Sequence, residues 1–531
     1  MATEQVILRH LFAGGWSTDF GPNTDVVPGD AGQIAIPFLV DAENVLYELD
    51  GGPHKMPGTA KLNSAQMESG AVVKGLFDYW DTGTSAASTQ HRIVHVGTTI
   101  KRDDADGTFT DLFTGLVSGA VPAYAVLEDI LVMANDHVSD VPRSWDGTTA
   151  QNLAGSPPNF AFSVTHKNRM WAAGVEATSS RLYYSALLNA EDWTGAGSGS
   201  IDIDPRDGDR ITALASHRDE LWAFKGPHKG SIHRITGSAP TGSDAFARRT
   251  FVIGVGAVGH NTLFRFANDL GFMWSDGTIR SLAATDAFGD FAEAALSRPI
   301  NQGFLGARIN FTRLKHAWAA TDDTLGIVAF TVPIDGSTNN NALLAMDFRF
   351  APARWSFVPA IAAGCVASII DPGDNDRRIL MLGGNDGHVR RWGRATRSND
   401  GTAISYKVTT PYFTYGSPAV MKTISFASVA VQPKNDANIT FGWQRDNVAQ
   451  QTDTVTQGGA DVLGVASANQ FTLDTSTLAG ARFIDRFLPL GEEGGEFRSI
   501  QYQVTDTANN IDIELHAIGA AVKGGAISTE N

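Results

Sequence analysis

The chain has 531 residues and a net charge of −16, with 43% hydrophobic and 18% charged residues. One hydrophobic core rarely serves so long a chain, so we expect two or three domains or one large repeat array. The acidic balance excludes stable attraction to duplex nucleic acid, whose phosphates are held by Lys and Arg, although DNA could still slide past a like-charged wall. The single cysteine, Cys365, excludes an internal disulfide framework.

Residues 1–70 lack the repeat described below. They begin without a basic segment followed by an apolar one, so no secretory signal is predicted and we expect folding in the cytoplasm. Residues 16–23 predict a loop, and residues 42–58 predict a strand followed by a turn. Part of this region is expected to pair with the last repeat, so that no sheet edge stays open. No apolar run in the chain is long enough to span a bilayer.

A polar turn followed by a short apolar strand recurs between residues 71 and 395. Its clearest copy is residues 216–226, SHRDELWAFKG, which follows another apolar strand at residues 211–215 and so predicts a hairpin. The steps between equivalent positions run from 37 to 55 residues, close to the length of known propeller repeats. The equivalent apolar positions are Ile93, Ile130, Met170, Leu221, Phe272, Ile327 and Ile379.

These repeats predict a β-propeller of about seven blades, with six or eight left open. A four-stranded blade cannot cover its own faces, so the blades should stack around a central channel. Several repeats also carry an Asp-Gly pair, which favours a tight hairpin turn. The pairs are at residues 106–107, 146–147, 276–277 and 386–387.

From residue 396 onward the repeat is absent and alternating strands continue. Regular strands with turn signals and no helix pattern predict a C-terminal β-sandwich-like domain. The polar tail, residues 523–531, is expected to be loose. The predicted fold is therefore all-β, with an N-terminal arm and ring-closing strand at residues 1–70, a propeller at 71–395 and a β-rich domain at 396–531.

Three glycines, Gly254, Gly256 and Gly259, have the G-x-G-x-x-G spacing of a dinucleotide-binding loop. That site needs a helix directly after the glycines, so that the helix N-terminus meets the pyrophosphate. Residues 260–274 instead predict two strands. We therefore predict a turn between blades and no cofactor site.

The pair Asp202 and Asp204 lies on one strand face, about 7 Å apart by strand rise. With Asp207 and Asp209 it could form a calcium loop or an acid pair, but Arg206 stands where an oxygen ligand is wanted. Alternating isoleucine and aspartate explains the pair without a metal. Both interpretations stay open, with the structural one favoured.

Two other candidate reactive groups have structural explanations. His91 and His95 resemble a zinc pair, but four residues along a strand separate them by about 13 Å, too far to share one metal. Cys365 lies in an apolar strand, where a free thiol is usually inert core.

Short phrases along the chain resemble those of β-propeller proteins in the tails of short-tailed bacteriophages. These are the tail nozzle or hub proteins, also called packaged-DNA stabilisation or tail tubular B-type proteins. One departure is Lys55-Met56, where the family more often has arginine. The phrases are residues 43–45 (ENV), 56–58 (MPG), 181–186 (RLYYSA), 192–194 (DWT), 200–203 (SIDI), 208–212 (GDRIT), 275–282 (SDGTIRSL), 296–300 (LSRPI), 353–356 (ARWS) and 487–491 (FLPLG).

This resemblance implies a structural virion protein, folded in the host cytoplasm and assembled into the tail. Six copies would form a ring below the portal and adaptor proteins, contact tail fibres or spikes, retain the packaged genome and guide its ejection. Double-stranded DNA would pass through without specific binding. The family carries no catalytic residues, so we predict that the chain is not an enzyme and has no catalytic, cofactor-binding or metal-binding residues.

The alternative from another functional class is a glycan-acting propeller, either a receptor-binding lectin or a glycosidase. A lectin would normally expose aromatic side chains in its loops, whereas most tryptophans here fall inside strand phrases. A glycosidase needs two converging carboxyl groups, and the sequence does not say whether any two of its many Asp and Glu residues meet.

Overall fold

The fold is all-β, as predicted. The computed structural model describes residues 6–10, 12, 14–18, 38–49, 51–82, 88–104, 106–289, 295–393, 396–415, 418–433, 437–457, 484–489, 496–509 and 511–527. These residues divide into two compact units. One unit holds residues 60–344 and 361–392, and the other holds residues up to 59, 345–360 and 393 onward.

Within the described residues, the first unit contains seven successive antiparallel sheets, numbered here in chain order. Sheet 1 consists of Val73–Asp81, Thr89–Val96, Thr99–Asp103 and Phe109–Phe113. Sheet 2 consists of Pro122–Leu127, Ile130–Asn135, Arg143–Trp145 and Ala150–Asn152. Sheet 3 consists of Phe162–His166, Arg169–Ala173, Arg181–Tyr184 and Gly199–Asp202. Sheet 4 consists of Arg210–His217, Glu220–Gly226, Ser231–Thr236 and Ala247–Ile253.

The remaining sheets are less regular. Sheet 5 has the three strands Phe264–Phe266, Asp269–Met273 and Ile279–Ser281. Sheet 6 consists of Trp318–Asp322, Ile327–Val332 and Ala342–Asp347. The first segment of this unit ends at residue 344, within the third of these strands. Sheet 7 contains Ala363–Asp371, Arg377–Gly384 and Val389–Trp392.

The predicted repeat is confirmed, because each of the seven apolar positions lies in the second strand of its sheet. Most residues of these strands are buried because both faces of each strand are covered, and sheet 1 departs from the apolar pattern at His91, Arg92 and His95. In sheet 4, Leu221 packs toward sheet 3, whereas its neighbour Trp222 packs toward sheet 5. Side chains of adjacent strand residues point to opposite faces, so one short strand serves two interfaces.

Neighbouring sheets bury apolar side chains against one another around the unit. Phe264 of sheet 5 and Phe330 of sheet 6 meet edge to face, with ring centroids 5.0 Å apart. Sheet 7 returns to sheet 1, where Gln90 Nε2 donates to Ile370 O at 2.7 Å. The seven sheets therefore form a closed ring, which is a propeller arrangement.

The segment before sheet 1 also bonds to sheet 7. Leu62 N donates to Val389 O at 2.7 Å, and Val389 N donates to Asn63 Oδ1 at 2.8 Å. Met67 N donates to Gly387 O at 3.0 Å. The turns at the four Asp-Gly pairs have glycine in the left-handed region, with φ between 72° and 88°. A residue with a Cβ is strained there, which explains why glycine follows aspartate.

Helical turns are short and lie in the connections. The α-helix Leu282–Phe288 is capped by Ser281, whose side chain accepts from Ala284 N. A second α-helical turn is Gly306–Arg308, and Asn301–Leu305 is a π-helix. The 3₁₀ turns are Glu68–Gly70, Glu176–Thr178, His260–Thr262, Arg298–Ile300, Phe311–His316 and Pro372–Asp374. Among the described residues no helix is long and apolar enough to cross a membrane.

The second unit is built from two sheets and a short hairpin, Ser398–Asn399 with Thr402–Ala403. One sheet contains Val6–His10, Val45–Tyr47, Pro53–Lys55, Val420–Pro433, Ile484–Pro489 and Ile513–Ile527. The other contains Asp41–Glu43, Arg354–Val358, Tyr406–Thr409, Ala437–Arg445, Gln451–Gln457 and Ile500–Asp506. A buried ion pair between the Nζ of Lys55 and the Oδ2 of Asp506, 2.7 Å apart, links the two sheets.

The observed units combine distant parts of the sequence, because strands pair without regard to chain separation. Asp41–Glu43 pairs with Arg354–Val358 in parallel and with Tyr406–Thr409 in the antiparallel sense. The predicted divisions at residues 70 and 395 stay a prediction. The predicted loose tail is wrong for residues 523–527, which extend the strand Ile513–Ile527.

Candidate functional site

The Asp202–Asp209 region holds a lysine ammonium group where a metal was considered. Lys225 Nζ is buried and donates to Ile203 O at 2.9 Å, Asp204 O at 2.8 Å and Asp207 Oδ2 at 2.7 Å. An internal cation thus satisfies the oxygen atoms of this loop. Asp209 caps a turn, since its carboxylate accepts from the backbone N–H groups of His228, Lys229 and Gly230.

Asp202 lies outside this arrangement, on the surface. Its carboxylate accepts from Arg181 Nε at 2.7 Å and from Arg181 Nη2 at 3.0 Å. The strand Gly199–Asp202 ends before Asp204, whose φ is 40°, so the predicted shared strand face of Asp202 and Asp204 is wrong. The Asp204 carboxylate pairs with Arg248.

The two candidate histidines do not share a site. His91 Nδ1 lies 2.7 Å from Asp104 Oδ1, and its ring packs against Trp145. His95 is buried, and burial lowers its pKa to about 4. In the part of the chain that the structure describes, no group of three or more His, Cys, Asp or Glu residues is placed to hold a metal ion.

The glycine motif lies between sheets 4 and 5, and two strands follow it after one 3₁₀ turn. A Cβ at Gly256 would lie 1.9 Å from Lys225 O, so the close approach of the two backbones requires glycine there. Cys365 is fully buried, and burial raises the pKa of its thiol. Both residues serve packing, as the sequence pattern predicted.

A cavity of about 390 Å³ in the propeller unit lies where the first strands of sheets 2, 3 and 4 begin. We call it the mouth cleft. Its volume falls within the roughly 300–1,000 Å³ of small-molecule sites. Residues that line it include Val121, Pro122, Asp136, His137, Asn159, Phe162, Glu176, Arg210, His260, Asn261 and Lys315.

The two carboxylates of the mouth cleft come from equivalent places in the repeat. Asp136 follows the second strand of sheet 2, and Glu176 follows the second strand of sheet 3. The loops after equivalent strands of a propeller lie on the same side of the ring. This repeat position is what brings Asp136 and Glu176 to one cleft.

Asp136 is held as a carboxylate by its neighbours. Its Oδ2 lies 2.7 Å from Lys315 Nζ, and its Oδ1 accepts from Val121 N at 2.7 Å. Burial alone would raise the pKa of Asp136, but these two hydrogen bonds outweigh it, so the pKa lies below its usual value. Asp136 is therefore an ionised hydrogen-bond acceptor at neutral pH.

An aromatic pair forms another part of the wall. The His260 ring stacks on Phe162 with centroids 5.0 Å apart and planes at 13°. Leu214 N donates to His260 Nδ1 at 3.4 Å, and burial lowers the pKa of His260 to about 4. The imidazole is thus neutral at pH 7, and its stacking adds to the apolar part of the cleft.

Two charged side chains of the cleft have no internal partner. Glu176 and Arg210 are exposed, and neither side chain makes a hydrogen bond or ion pair to any residue within the described part of the chain. They are available to a ligand. Asn261 instead donates through Nδ2 to Pro122 O at 2.8 Å and so fixes the cleft wall.

None of these cleft residues was predicted from the sequence. Each is a single polar residue in a connection, with no motif of its own. The usable signal was the repeat phase, because Arg210, His260 and Lys315 all stand at or just before the first strand of their repeats. Residues at that phase should converge at one end of a propeller channel.

Comparisons with known proteins give no family. No family model matches the chain, and no curated protein matches it. Solved structures similar to it include a gluconolactonase from Xanthomonas campestris, with 12% identity over 70% of this chain and 97% of that one, at a TM-score of 0.32. An exo-β-1,3-galactanase from Phanerochaete chrysosporium has 10% identity over 88% of this chain and 100% of that one, at 0.26. A glycoside hydrolase has 8% identity over 84% of this chain and 99% of that one, at 0.23.

The prediction that the chain is not an enzyme is wrong, because a fold of this kind does not exclude catalysis. The similar solved structures carry the names of enzymes, so the propeller-like fold is no ground for ruling out catalysis. Their low TM-scores and identities assign no activity to this chain. Nothing among them identifies a phage tail protein.

Proposed function

We propose that this chain is a glycan-acting propeller protein and that the mouth cleft binds a sugar. The observation that carries the proposal is the combination of side chains in the cleft. An ionised acceptor, Asp136, lies beside the unpartnered charges of Glu176 and Arg210 and the stacked pair of Phe162 and His260. A sugar offers hydroxyl groups that donate and accept, together with C–H faces that pack on apolar surface.

The strongest single contact in this proposal is a sugar hydroxyl donating to Asp136. A hydrogen bond to a charged group contributes about 1.5–3 kcal/mol, so losing it weakens binding about tenfold to a hundredfold. The test is saturation-transfer NMR and calorimetry of the full chain with methyl glycosides of glucose, galactose, mannose and N-acetylglucosamine. Asp136→Asn should weaken binding of the sugar that binds best by at least about tenfold.

A matched control is Asp335→Asn. Asp335 also pairs with a cation, since its Oδ2 lies 2.6 Å from Arg308 Nη2, but it lies outside the cleft. This variant should bind the sugar as the unmodified chain does. Absence of binding to every glycoside, or equal losses in both variants, would overturn the proposal.

The catalytic form of the proposal assigns different roles to the two carboxylates. Asp136 would stabilise positive charge at the sugar because it stays ionised. Glu176, in its protonated form, would donate its proton to the leaving group, and the water that then attacks the sugar carbon would return a proton to Glu176. Turnover of p-nitrophenyl glycosides tests this. Glu176→Gln should abolish turnover with little change in affinity, and turnover that survives in this variant would contradict the role of Glu176. Sugar binding without any turnover by the unmodified chain would leave the protein as a lectin.

A second candidate is the ring-forming tail component that the phrase resemblance implies. Two of the phrases, residues 43–45 and 353–356, are far apart in sequence but adjacent in the second unit. Val45 N donates to Ser356 Oγ at 3.4 Å, and Tyr47 Oη donates to Trp355 O at 3.0 Å. The Arg354 guanidinium lies 5.4 Å from the centre of the Tyr47 ring. These two phrases therefore meet in one local cluster of the second unit.

Native mass spectrometry and negative-stain microscopy of the purified chain test this second candidate. It predicts a ring of six copies, to which glycan binding at the mouth cleft would be an addition and not a contradiction. A protein that stays monomeric at tens of micromolar, with or without the other tail proteins, would rule the candidate out.

A further inference from the structure

A second cavity adjoins the mouth cleft on the side of sheet 4. Its volume is about 500 Å³, and it shares two lining residues, Ser179 and Arg210, with the cleft. We call it the outer pocket. Because the two cavities have these wall residues in common, a ligand longer than one sugar ring has room in both. Other residues that line the outer pocket are Arg206, Asp209, Pro227 and His228.

The outer pocket continues the repeat pattern that builds the mouth cleft. Asp136, Glu176 and His228 each follow the second strand of their sheet, in sheets 2, 3 and 4. Loops after equivalent strands of a propeller lie on the same side of the ring. These three polar side chains therefore stand on successive blades, and the two cavities form one groove across sheets 2, 3 and 4.

The wall of the outer pocket is fixed by Asp209, which is buried. Its carboxylate accepts from the backbone N–H groups of His228, Lys229 and Gly230 at 2.7–2.9 Å. Ser180 Oγ donates to Asp209 O at 3.2 Å. These bonds join the loop before the first strand of sheet 4 to the turn after its second strand. A pocket that is already ordered loses less conformational freedom when a ligand binds.

The side chains left free in the outer pocket can donate hydrogen bonds. Arg206 and His228 are exposed, and neither side chain makes a hydrogen bond or ion pair to the described residues. Arg210, which is also free, stands between the two cavities. Pro227 adds apolar surface. Sugar hydroxyl groups accept hydrogen bonds and sugar C–H faces pack on apolar surface, so the outer pocket offers the contacts that a second sugar ring needs.

We infer that the ligand of the mouth cleft is an oligosaccharide, whose adjoining sugar residue occupies the outer pocket. This inference rests on the proposed glycan function and specifies the length of its ligand. One ring would lie in the mouth cleft and donate to Asp136. The next ring would pass Arg210 and accept hydrogen bonds from Arg206 and His228. Hydrogen bonds from a guanidinium group are charge-assisted, so the second ring should strengthen binding.

The experiment compares sugars that differ in length. Calorimetry of the full chain uses the methyl glycosides of glucose, galactose, mannose and N-acetylglucosamine against maltotriose, cellotriose, galactotriose, mannotriose and triacetylchitotriose. At least one trisaccharide should bind about tenfold or more tightly than the methyl glycoside of its own sugar. In Arg206→Gln/His228→Ala this gain should disappear, whereas the affinity for the methyl glycoside should stay unchanged.

Two control variants separate the outer pocket from the mouth cleft. Arg249→Gln, at an exposed arginine of sheet 4 that lines neither cavity, should keep the gain. Asp136→Asn should weaken binding of the methyl glycoside and of the trisaccharide by the same factor, because both place a ring in the mouth cleft.

The outcomes distinguish this inference from the function on which it rests. Equal binding of methyl glycosides and trisaccharides overturns the inference and leaves glycan binding at the mouth cleft standing. A gain that survives in Arg206→Gln/His228→Ala also overturns it, since the second ring then lies elsewhere. Absence of binding by every sugar overturns both. The comparison of lengths uses the unmodified chain, so it tests the inference even where the double variant does not fold.

Discussion

Replacing the buried Lys225 by methionine tests the account of the Asp204–Asp209 loop. Methionine keeps most of the side-chain volume but removes the ammonium group. Ile203 O, which is fully buried, loses its donor, and Asp204 O, which is partly buried, loses one too. An unsatisfied buried polar group costs about 1–3 kcal/mol. The side chain of Asp207 is 30% exposed, so water can replace its lost hydrogen bond and it adds little to this cost. We therefore expect a loss of about 2–4 kcal/mol in the free energy of unfolding.

Urea unfolding of the full chain, followed by tryptophan fluorescence, measures this loss. The matched control is Lys229→Met, at an exposed lysine of the same sheet, which should change the free energy of unfolding by less than about 0.5 kcal/mol. If Lys225→Met costs less than about 1 kcal/mol, the ammonium group does not hold the loop and the reasoning fails. An increase in the stability of the unmodified chain on addition of calcium would also contradict this account, because the ammonium group of Lys225 already binds the oxygen atoms that calcium would need.

Two further predictions concern pH and packing. Five buried or half-buried histidines in the described residues have a pKa of about 4 because of burial, below the 6.5 of the free side chain, namely His95, His166, His233, His260 and His316. Between pH 4 and pH 6.5 the unfolded chain therefore binds more protons than the folded one, so the contribution of these histidines to stability is full above about pH 6.5 and is lost as the pH falls toward 4. Melting temperatures measured across this pH range should fall accordingly, and a constant melting temperature would contradict the prediction. Gly256→Ala would place a Cβ 1.9 Å from Lys225 O, so it should lower the free energy of unfolding by about 1–3 kcal/mol. An unchanged midpoint of urea unfolding would contradict this prediction.

The sequence predicted the propeller well because its repeat is set by local rules. A turn followed by a strand that is buried on both faces needs polar residues and then an unbroken apolar run, as in SHRDELWAFKG. The turn itself places Arg218 and Asp219 in the left-handed region, and Trp222 Nε1 then donates to His217 O at 3.2 Å. Sheet 3 repeats this contact between Trp171 and His166. Such signals lie within a dozen residues, so one copy suffices to recognise the others.

Contacts across long stretches of sequence were not predictable in the same way. For the aspartates of residues 202–209 the sequence left calcium open and favoured no cation, whereas the structure places a cation there, Lys225, 18 residues beyond Asp207 and on another strand. Nothing in the spacing of oxygen ligands distinguishes a lysine ammonium from calcium. The second unit poses the same difficulty, since Lys55 and Asp506 form one buried pair across most of the chain.

The mouth cleft shows how a net charge can mislead. A charge of −16 argues against attraction of anions by the chain as a whole. In a propeller, however, the residues at the start of each repeat meet at one end of the channel, so a few positions decide the charge there. At this phase the chain places Arg210 and Lys315 in the cleft, and the loops after two second strands add the carboxylates of Asp136 and Glu176. Beyond a Debye length of about 8 Å, most of the acidic surface is screened, so these four side chains, and not the net charge of the chain, govern what the cleft attracts.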